Sequence, residues 1–329
     1  MACKLRVQYP GALCHVQQQA ETPMKTVISA RPAGVRSPGV AIALLALLTI
    51  TTVMAQRPLG IDVSSYQGGS INWTDVKNDG ISFAYVKAAE GSPAGGFSIK
   101  DPDFAINEAG AAAAGIPVGA YYYAHPELDL GTSGADSEAG YFWSVAGNYI
   151  KPNGGLTLMP MLDIEQNVTS ANPAYTRAAL SAWANEWCMD IVNYAAAEGV
   201  VVKPVVYTYI SYAAGTSGYG PGLNSTVNQW PLWMASPNGE NPQIGAPSAT
   251  SPWSTWTLWQ YGQADLPGIT TGAVDEDVFN GTAAGLESSL VIVPEPGPSV
   301  LLLLGTAIFI GQNAKSRRTN PNAIFSTTC

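Results

Sequence analysis

Asp163 and Glu165 stand two residues apart at the end of an apolar run, Met-Pro-Met-Leu-Asp-Ile-Glu-Gln at 159–166. On an extended strand such neighbours project to the same side, about 6.6 Å apart at roughly 3.3 Å per residue. A surface role would not explain why they follow so apolar a stretch. Further carboxylates close similar runs: Asp62 in Gly-Ile-Asp-Val-Ser-Ser-Tyr-Gln at 60–67, and Glu90 in Tyr-Val-Lys-Ala-Ala-Glu-Gly at 85–91. Asp275 and Asp277 lie in Val-Asp-Glu-Asp-Val-Phe-Asn-Gly at 274–281. Taken singly, Glu90 and Asp277 read equally well as surface charges or helix caps. Tyr121, Tyr123, Tyr207 and Trp233 add flat aromatic faces, which serve either to stack on pyranose rings or to pack a barrel mouth. Carboxylates with aromatics are the materials of a carbohydrate site.

Elimination sharpens this. Residues 56–293 contain one histidine, His125, and one cysteine, Cys188, so a zinc site built from those ligands is close to excluded. A Ser-His-Asp triad would rest on His125 alone, and no Gly-x-Ser-x-Gly elbow occurs. Neither a P-loop nor a Gly-x-Gly-x-x-Gly after a strand is present. His125, just before Pro126, reads as a satisfied loop residue. No metal or other cofactor is expected.

The elements that must position these groups are short. Continuous apolar or aromatic runs at 59–64, 81–88, 117–124, 157–164, 204–210, 231–235, 257–261 and 273–279 read as parallel strands buried on both faces. Helix patterns fall at 101–115, 134–149 and 172–199. In the last, Leu180, Trp183, Trp187, Ile191 and Tyr194 recur at helical spacing as a core stripe, and Gly199 stops it. Eight strands with helices between the early ones, in about 240 residues, have the size and order of a (β/α)8-type barrel. Loops rich in Gly, Pro, Ser and Asn (236–254) replace helices late in the chain, so the final third is expected to be irregular. Strands one and eight meet when a barrel closes. That would bring the carboxylates together at the C-terminal mouth, where barrel enzymes keep their sites.

The ends of the 329-residue chain read differently. From Met24, a basic lead-in (Lys25, Arg31, Arg36), an apolar stretch at 40–54 and Val-Met-Ala at 53–55 give the layout of a secretory signal peptide cleaved after Ala55. The apolar core is shorter than the ~20 residues of a membrane span, although a single N-terminal anchor is the other reading. The 23 residues before Met24 have no place in that layout, which points to Met24 as the true start. At the other end, Val-Pro-Glu-Pro at 293–296, an apolar run at 300–310 and Lys315, Arg317 and Arg318 resemble the PEP-CTERM sorting signal of Gram-negative bacteria. Residues 319–329 extend beyond the usual end of that signal, and a plain hydrophobic tail is the alternative. The domains expected are thus a leader at 1–55, a barrel at 56–292 and a sorting or anchoring tail at 293–329. The resemblance implies export across an inner membrane and a secreted or cell-surface protein.

Of the chain's 24 Asp and Glu, all but Glu21 and Glu295 fall in the barrel region, against seven Lys and Arg, giving about −15 where the whole chain carries −9. Nucleic acid and anionic membranes would repel so acidic a domain. With Cys188 alone there, no internal disulfide can form, and the domain must be large enough to hold by its core. A monomer is expected.

The ordered motifs resemble glycoside hydrolase family 25, the lysozymes. The match includes the stretch at 60–67, then Ile-Asn-Trp at 71–73, Val76-Lys77, Phe-Ala-Tyr-Val-Lys-Ala-Ala-Glu-Gly at 83–91 and Gly-Ala-Tyr at 119–121. It continues with Asp-Ile-Glu at 163–165, Leu-Trp-Met-Ala at 232–235, Trp-Gln-Tyr at 259–261 and Val274-Asp275 to Phe279. The resemblance implies five β/α units followed by three strands. It also implies cleavage of the β-1,4 bond between N-acetylmuramic acid and N-acetylglucosamine in peptidoglycan. One departure is Tyr122-Tyr123, where the family commonly has His-Phe. A carboxyl crowded by other carboxylates holds its proton to higher pH. Glu165, beside Asp163 and facing Asp62 and Asp275, is therefore the natural proton donor, with those three completing the catalytic cluster. Glu90, Tyr121, Tyr123, Tyr207, Trp233 and Gln260 are the candidate substrate contacts. Chitin or another N-acetylhexosamine glycan is the rival substrate, and a non-catalytic glycan-binding barrel the rival class.

Overall fold

The computed structural model describes residues 56–152 and 156–293. The expected leader, and the Pro-Glu-Pro tail from 294 onward, lie outside the described residues. Nine strands form one sheet: β1 (Leu59–Val63), β2 (Ile81–Ser92), β3 (Phe97–Lys100), β4 (Val118–Tyr123), β5 (Met161–Asp163), β6 (Val205–Tyr209), β7 (Leu232–Ala235), β8 (Leu258–Ala264) and β9 (Val274–Phe279). Pairing of β1 with both β2 and β9 closes eight of them into a barrel, and β3 hangs outside as the second arm of a hairpin with β2.

Five helices follow early strands: α1 (Trp73–Asn78), α2 (Phe104–Ala113), α3 (Thr132–Ala146), α4 (Arg177–Ala197) and α5 (Ile210–Ala214). No helix separates β7, β8 and β9 among the described residues. The five units and three trailing strands expected from the sequence are there. α4 starts where the Thr176 hydroxyl accepts from the Ala179 N–H at 3.1 Å, and it gives way at Gly199, whose φ of +74° suits a residue without Cβ. Its Leu180, Trp183, Trp187 and Ile191 are buried as the stripe requires. Tyr194 is only half-buried, stacked on Trp143 of α3 with centroids 5.8 Å apart.

Several boundaries differ from expectation for identifiable reasons. The run at 157–164 yields a three-residue strand, because Pro160 has no N–H and Thr157 and Leu158 form separate bridges to Val118 and Val291. α2 begins at Phe104, since the Asp101 carboxylate accepts from the backbone N–H groups of Ser65 and Asp103 and holds that stretch out of helix. β9 is antiparallel to both neighbours, not parallel. One consequence bears on the site: the N-terminal end of β9, with Asp275, stands at the mouth formed by the C-terminal ends of the other strands.

Strand alternation sorts the side chains into two layers. Ile61, Val86, Tyr122, Leu162, Val206 and Met234 face outward to the helices. Phe83, Tyr85, Tyr121, Met161, Val205, Trp233 and Leu258 fill the barrel interior, so it is a packed core rather than a pore. Two inward positions are glycine because of that filling. A Cβ on Gly60 would lie 2.2 Å from the Phe83 ring, and one on Gly119 would lie 2.4 Å from Tyr85. The floor is sealed by a helix absent from the sequence expectation, α6 (Ala283–Leu290), whose Leu286 and Leu290 join the interior cluster with Val291. Among the described residues no helix is long and apolar enough to cross a membrane.

Candidate active site

Asp163 is the last residue of β5, and Ile164 continues the ladder by donating its N–H to the Tyr207 carbonyl at 3.0 Å. Ile164 is buried in the outer layer, so its neighbours Asp163 and Glu165 both turn toward the barrel mouth, as the alternation requires. Asp62, one residue from the end of β1, pairs across the ladder with Asp275 of β9. Four carboxyls from β1, β5 and β9 thus gather above one packed interior. Asp275 accepts a hydrogen bond from Gln263, and Asp62 Oδ2 accepts from Gln260 Nε2 at 2.9 Å. Gln260 is held in turn by the Tyr207 hydroxyl, which donates to its Oε1 at 2.9 Å.

The carboxyls perturb one another. Burial raises Asp163 most, Glu165 and Asp62 raise it further, and Lys87 works against them; the net is well above the usual carboxylate range. Asp62 moves the same way, first by burial, then by Asp275, with Gln260 opposing. At both residues loss of water is a larger cause than the neighbouring charges. One buried oxygen of Asp163, Oδ1, has no hydrogen-bond partner among the described residues.

A second ionic group borders the first. Lys87 on β2 lies 2.5 Å from Glu90 and over the Tyr123 ring, 4.9 Å from its centroid. Glu90 is held down at about 2, by His125 and by Lys87 against the opposing effect of burial. His125 Nε2 stands 3.9 Å from Glu90, an ion-pair distance rather than a hydrogen bond, and its Nδ1 lies 2.8 Å from Glu127. Burial pulls the imidazole down, but Glu127 and Glu90 outweigh it and bring it up to about 9. The backbone N–H of His125 donates to Glu138 Oε2 at 3.0 Å, a buried carboxyl that desolvation lifts to about 8. His125 is thus a loop residue with partners, as the sequence suggested, and those partners make it a member of a half-enclosed ionic network. Its spacing from Glu127 was the available signal; Glu138 approaches from a helix and left none.

The aromatic candidates separate by depth. Tyr123 and Tyr207 are half-buried at the mouth, and Tyr121 lies just beneath it. Trp233 is corrected from a sugar platform to an interior support. It is 0% exposed, with its ring against Tyr85 and Tyr207 and its indole N–H on Asp277 Oδ1 at 2.9 Å. Asp277, for which a surface charge or a helix cap was one of two readings, is wholly buried one layer below Asp62.

A closed barrel whose mouth gathers paired carboxyls, rimmed by tyrosines, is the architecture of a sugar-cleaving enzyme. Comparison with known proteins gives the family. Residues 61–269 match the model for glycosyl hydrolases family 25. The chain is 37% identical over 229 residues to lysozyme M1 of Streptomyces globisporus, covering 69% of each. It superposes on the lysozyme of Streptomyces coelicolor with a TM-score of 0.57 at 33% identity, covering 70% of this chain and 96% of that one. For the muramidase of Trichobolus zukalii the figures are 0.53 and 27%, over 70% and 97%. The chain belongs to glycosyl hydrolases family 25, and it is a glycoside hydrolase.

Proposed function

We propose that this glycoside hydrolase is an exported muramidase that cuts the β-1,4 bond between N-acetylmuramic acid and N-acetylglucosamine, with Glu165 as general acid. The observation that carries the reading is the convergence of Asp163, Glu165, Asp62 and Asp275 at one barrel mouth. Asp163 and Glu165 leave one chain segment on one side, so they are ill placed to flank the two faces of a sugar ring. An inverting pair stands roughly 6.5–9.5 Å apart across the bond, with room for a water between. A pair on one segment better suits substrate-assisted cleavage. Glu165 gives its proton to the leaving oxygen as the C1–O bond breaks. The carbonyl oxygen of the substrate's own 2-acetamido group forms the new bond to C1, while its N–H donates to Asp163. Water then attacks C1, loses its proton to Glu165, and restores both groups. Asp62 and Asp275 offset the positive charge that develops at C1.

Tyr121, Tyr123, Tyr207, Gln260 and Glu90 supply the sugar-facing contacts. Peptidoglycan lies outside the inner membrane, which agrees with an export leader at 24–55 and a surface-sorting tail from 293. Digestion of purified peptidoglycan and of chitin oligomers side by side, with reducing-end analysis, tests the substrate. New muramic-acid ends from peptidoglycan and an unchanged chitin ladder are expected. Cleavage of chitin alone would move the activity to another glycan, and binding without new ends would make the barrel non-catalytic.

A further inference from the structure

Asp277 is a charged residue type in a place where charge is costly. It lies within the barrel on β9, 0% exposed, opposite Gly60 on one side and Gln260 on the other. Oδ1 accepts from the Trp233 indole at 2.9 Å, and Oδ2 has no partner among the described residues. Its acidic neighbours are Asp62, Asp275 and Glu276, and Tyr85 adds a weakly acidic hydroxyl. Among the described residues no cation offsets these charges. A buried ionised carboxylate so surrounded would carry a heavy desolvation penalty, so the carboxyl holds its proton to higher pH than a free aspartic acid does. Burial first, then Asp62 and Asp275, push it well above its usual range, with Trp233 opposing.

The contacts leading away from it form one chain. Asp277 fixes the Trp233 indole. The Trp233 ring meets the Tyr207 ring edge-on at 5.5 Å and 90°. The Tyr207 hydroxyl donates to Gln260 Oε1, which leaves Gln260 Nε2 to donate to Asp62 Oδ2, both at 2.9 Å. Rotating the amide of Gln260 by half a turn would present an oxygen to Asp62 and repel its anion. The order of donors in this chain therefore decides which form of Asp62 the site favours. We propose that Asp277 is a positioning residue for glycan cleavage, acting through Trp233, Tyr207 and Gln260 to hold Asp62 in its working orientation. The proposal rests on Asp62 serving the reaction as set out above.

Two measurements test it. In steady-state kinetics, Asp277→Leu removes the acceptor while keeping the interior apolar and filled. It should lower kcat by about tenfold or more with KM within about twofold, the pattern of a misplaced reacting group. Its kcat–pH profile should shift on the acid side, where Asp62 ionises. Asp277→Asn keeps an acceptor for Trp233 without a charge and should recover kcat to within about threefold of the parent. If Asp277→Leu does not fold, Trp233→Phe cuts the same link while keeping a ring, and the same loss is required of it. The second readout needs no turnover. The Trp233 indole N–H resonance, assigned by its disappearance in Trp233→Phe, should show no inflection near pH 4, the ordinary aspartate range, because the Asp277 carboxyl is held well above it. Parent-like kcat and pH profile in the Leu variant (or in Trp233→Phe, where that stands in), an Asn variant as impaired as Leu, or an indole resonance that titrates at the ordinary aspartate value would each overturn the proposal. A protein that failed to cut peptidoglycan would sink the muramidase reading instead, and the indole resonance would still report on Asp277.

Discussion

At the scale of single residues, two groups of charges divide the work. On the proposed reading the mouth carboxyls do the chemistry, while the Lys87–Glu90–His125–Glu127–Glu138 network lies in the adjoining wall. Glu165→Gln is expected to lose roughly 10²–10⁴-fold in kcat, the share that general acid catalysis supplies. Asp163→Asn should be severely impaired while still binding glycan; kcat and KM measured separately on both variants check this. The network makes a different prediction. His125, raised to about 9, stabilises the fold fully below its unfolded value, and that contribution is lost as pH rises through about 9. Glu138, raised to about 8, has the same sign, its loss beginning above the ordinary glutamate value. Glu90, lowered to about 2, works oppositely, its contribution disappearing as pH falls toward 2. Tm should therefore be highest in mild acid, near pH 5, and decline steadily toward pH 9. A Tm flat from pH 5 to 9 would contradict the assignment, and His125→Gln should make the decline above about pH 6.5 shallower, leaving the Glu138 share that ends near pH 8.

Elements were legible where the pattern was long and hidden where it was short. α4 and the eight barrel runs announced themselves because each buries a continuous apolar face. β3, α5 and α6 span only four, five and eight residues, too few to establish a period. The Ser-Pro-Ala-Gly-Gly stretch at 92–96 was nevertheless a turn signal for the β2–β3 hairpin. The direction of β9 had no signal, since a buried strand has the same apolar character in either orientation. Asp275 reached the mouth as expected, but through an antiparallel strand presenting its beginning rather than its end. The inner glycines give a test at this scale. Gly60→Ala drives a methyl into the Phe83 ring and should cost about 1–3 kcal/mol of stability. Gly60→Ala combined with Phe83→Leu should recover part of that. Denaturant unfolding of both reads the difference, and an unaffected single variant would mean that the ring moves freely.

For the whole molecule, the gathering of the carboxyls at one mouth was readable from their positions at strand ends, while the residues packed beneath and beside them were not. Asp277, Trp233 and Glu138 act through burial, which depends on closure of the barrel and on helix packing that no local pattern encodes. The expected ends of the domain can be tested together. Ile292 is buried and its N–H donates to the Thr157 carbonyl at 2.8 Å, so the fold needs the chain at least that far. A chain ending after Val293 should keep full activity, whereas one ending at Asn280 loses the α6 floor and should not fold. Exported protein should begin at Gln56 on N-terminal sequencing, and a start at or before Met24 would refute the leader. The claim on which all scales converge is that the acetamido group of a muramyl sugar attacks C1 while Glu165 protonates the leaving oxygen. Proton NMR of product in the first moments of peptidoglycan digestion tests it directly. The account predicts a new N-acetylmuramic acid reducing end appearing first as the β-anomer and only later mutarotating. The α-anomer appearing first would contradict it and assign the water-activating base to Asp62 or Asp275.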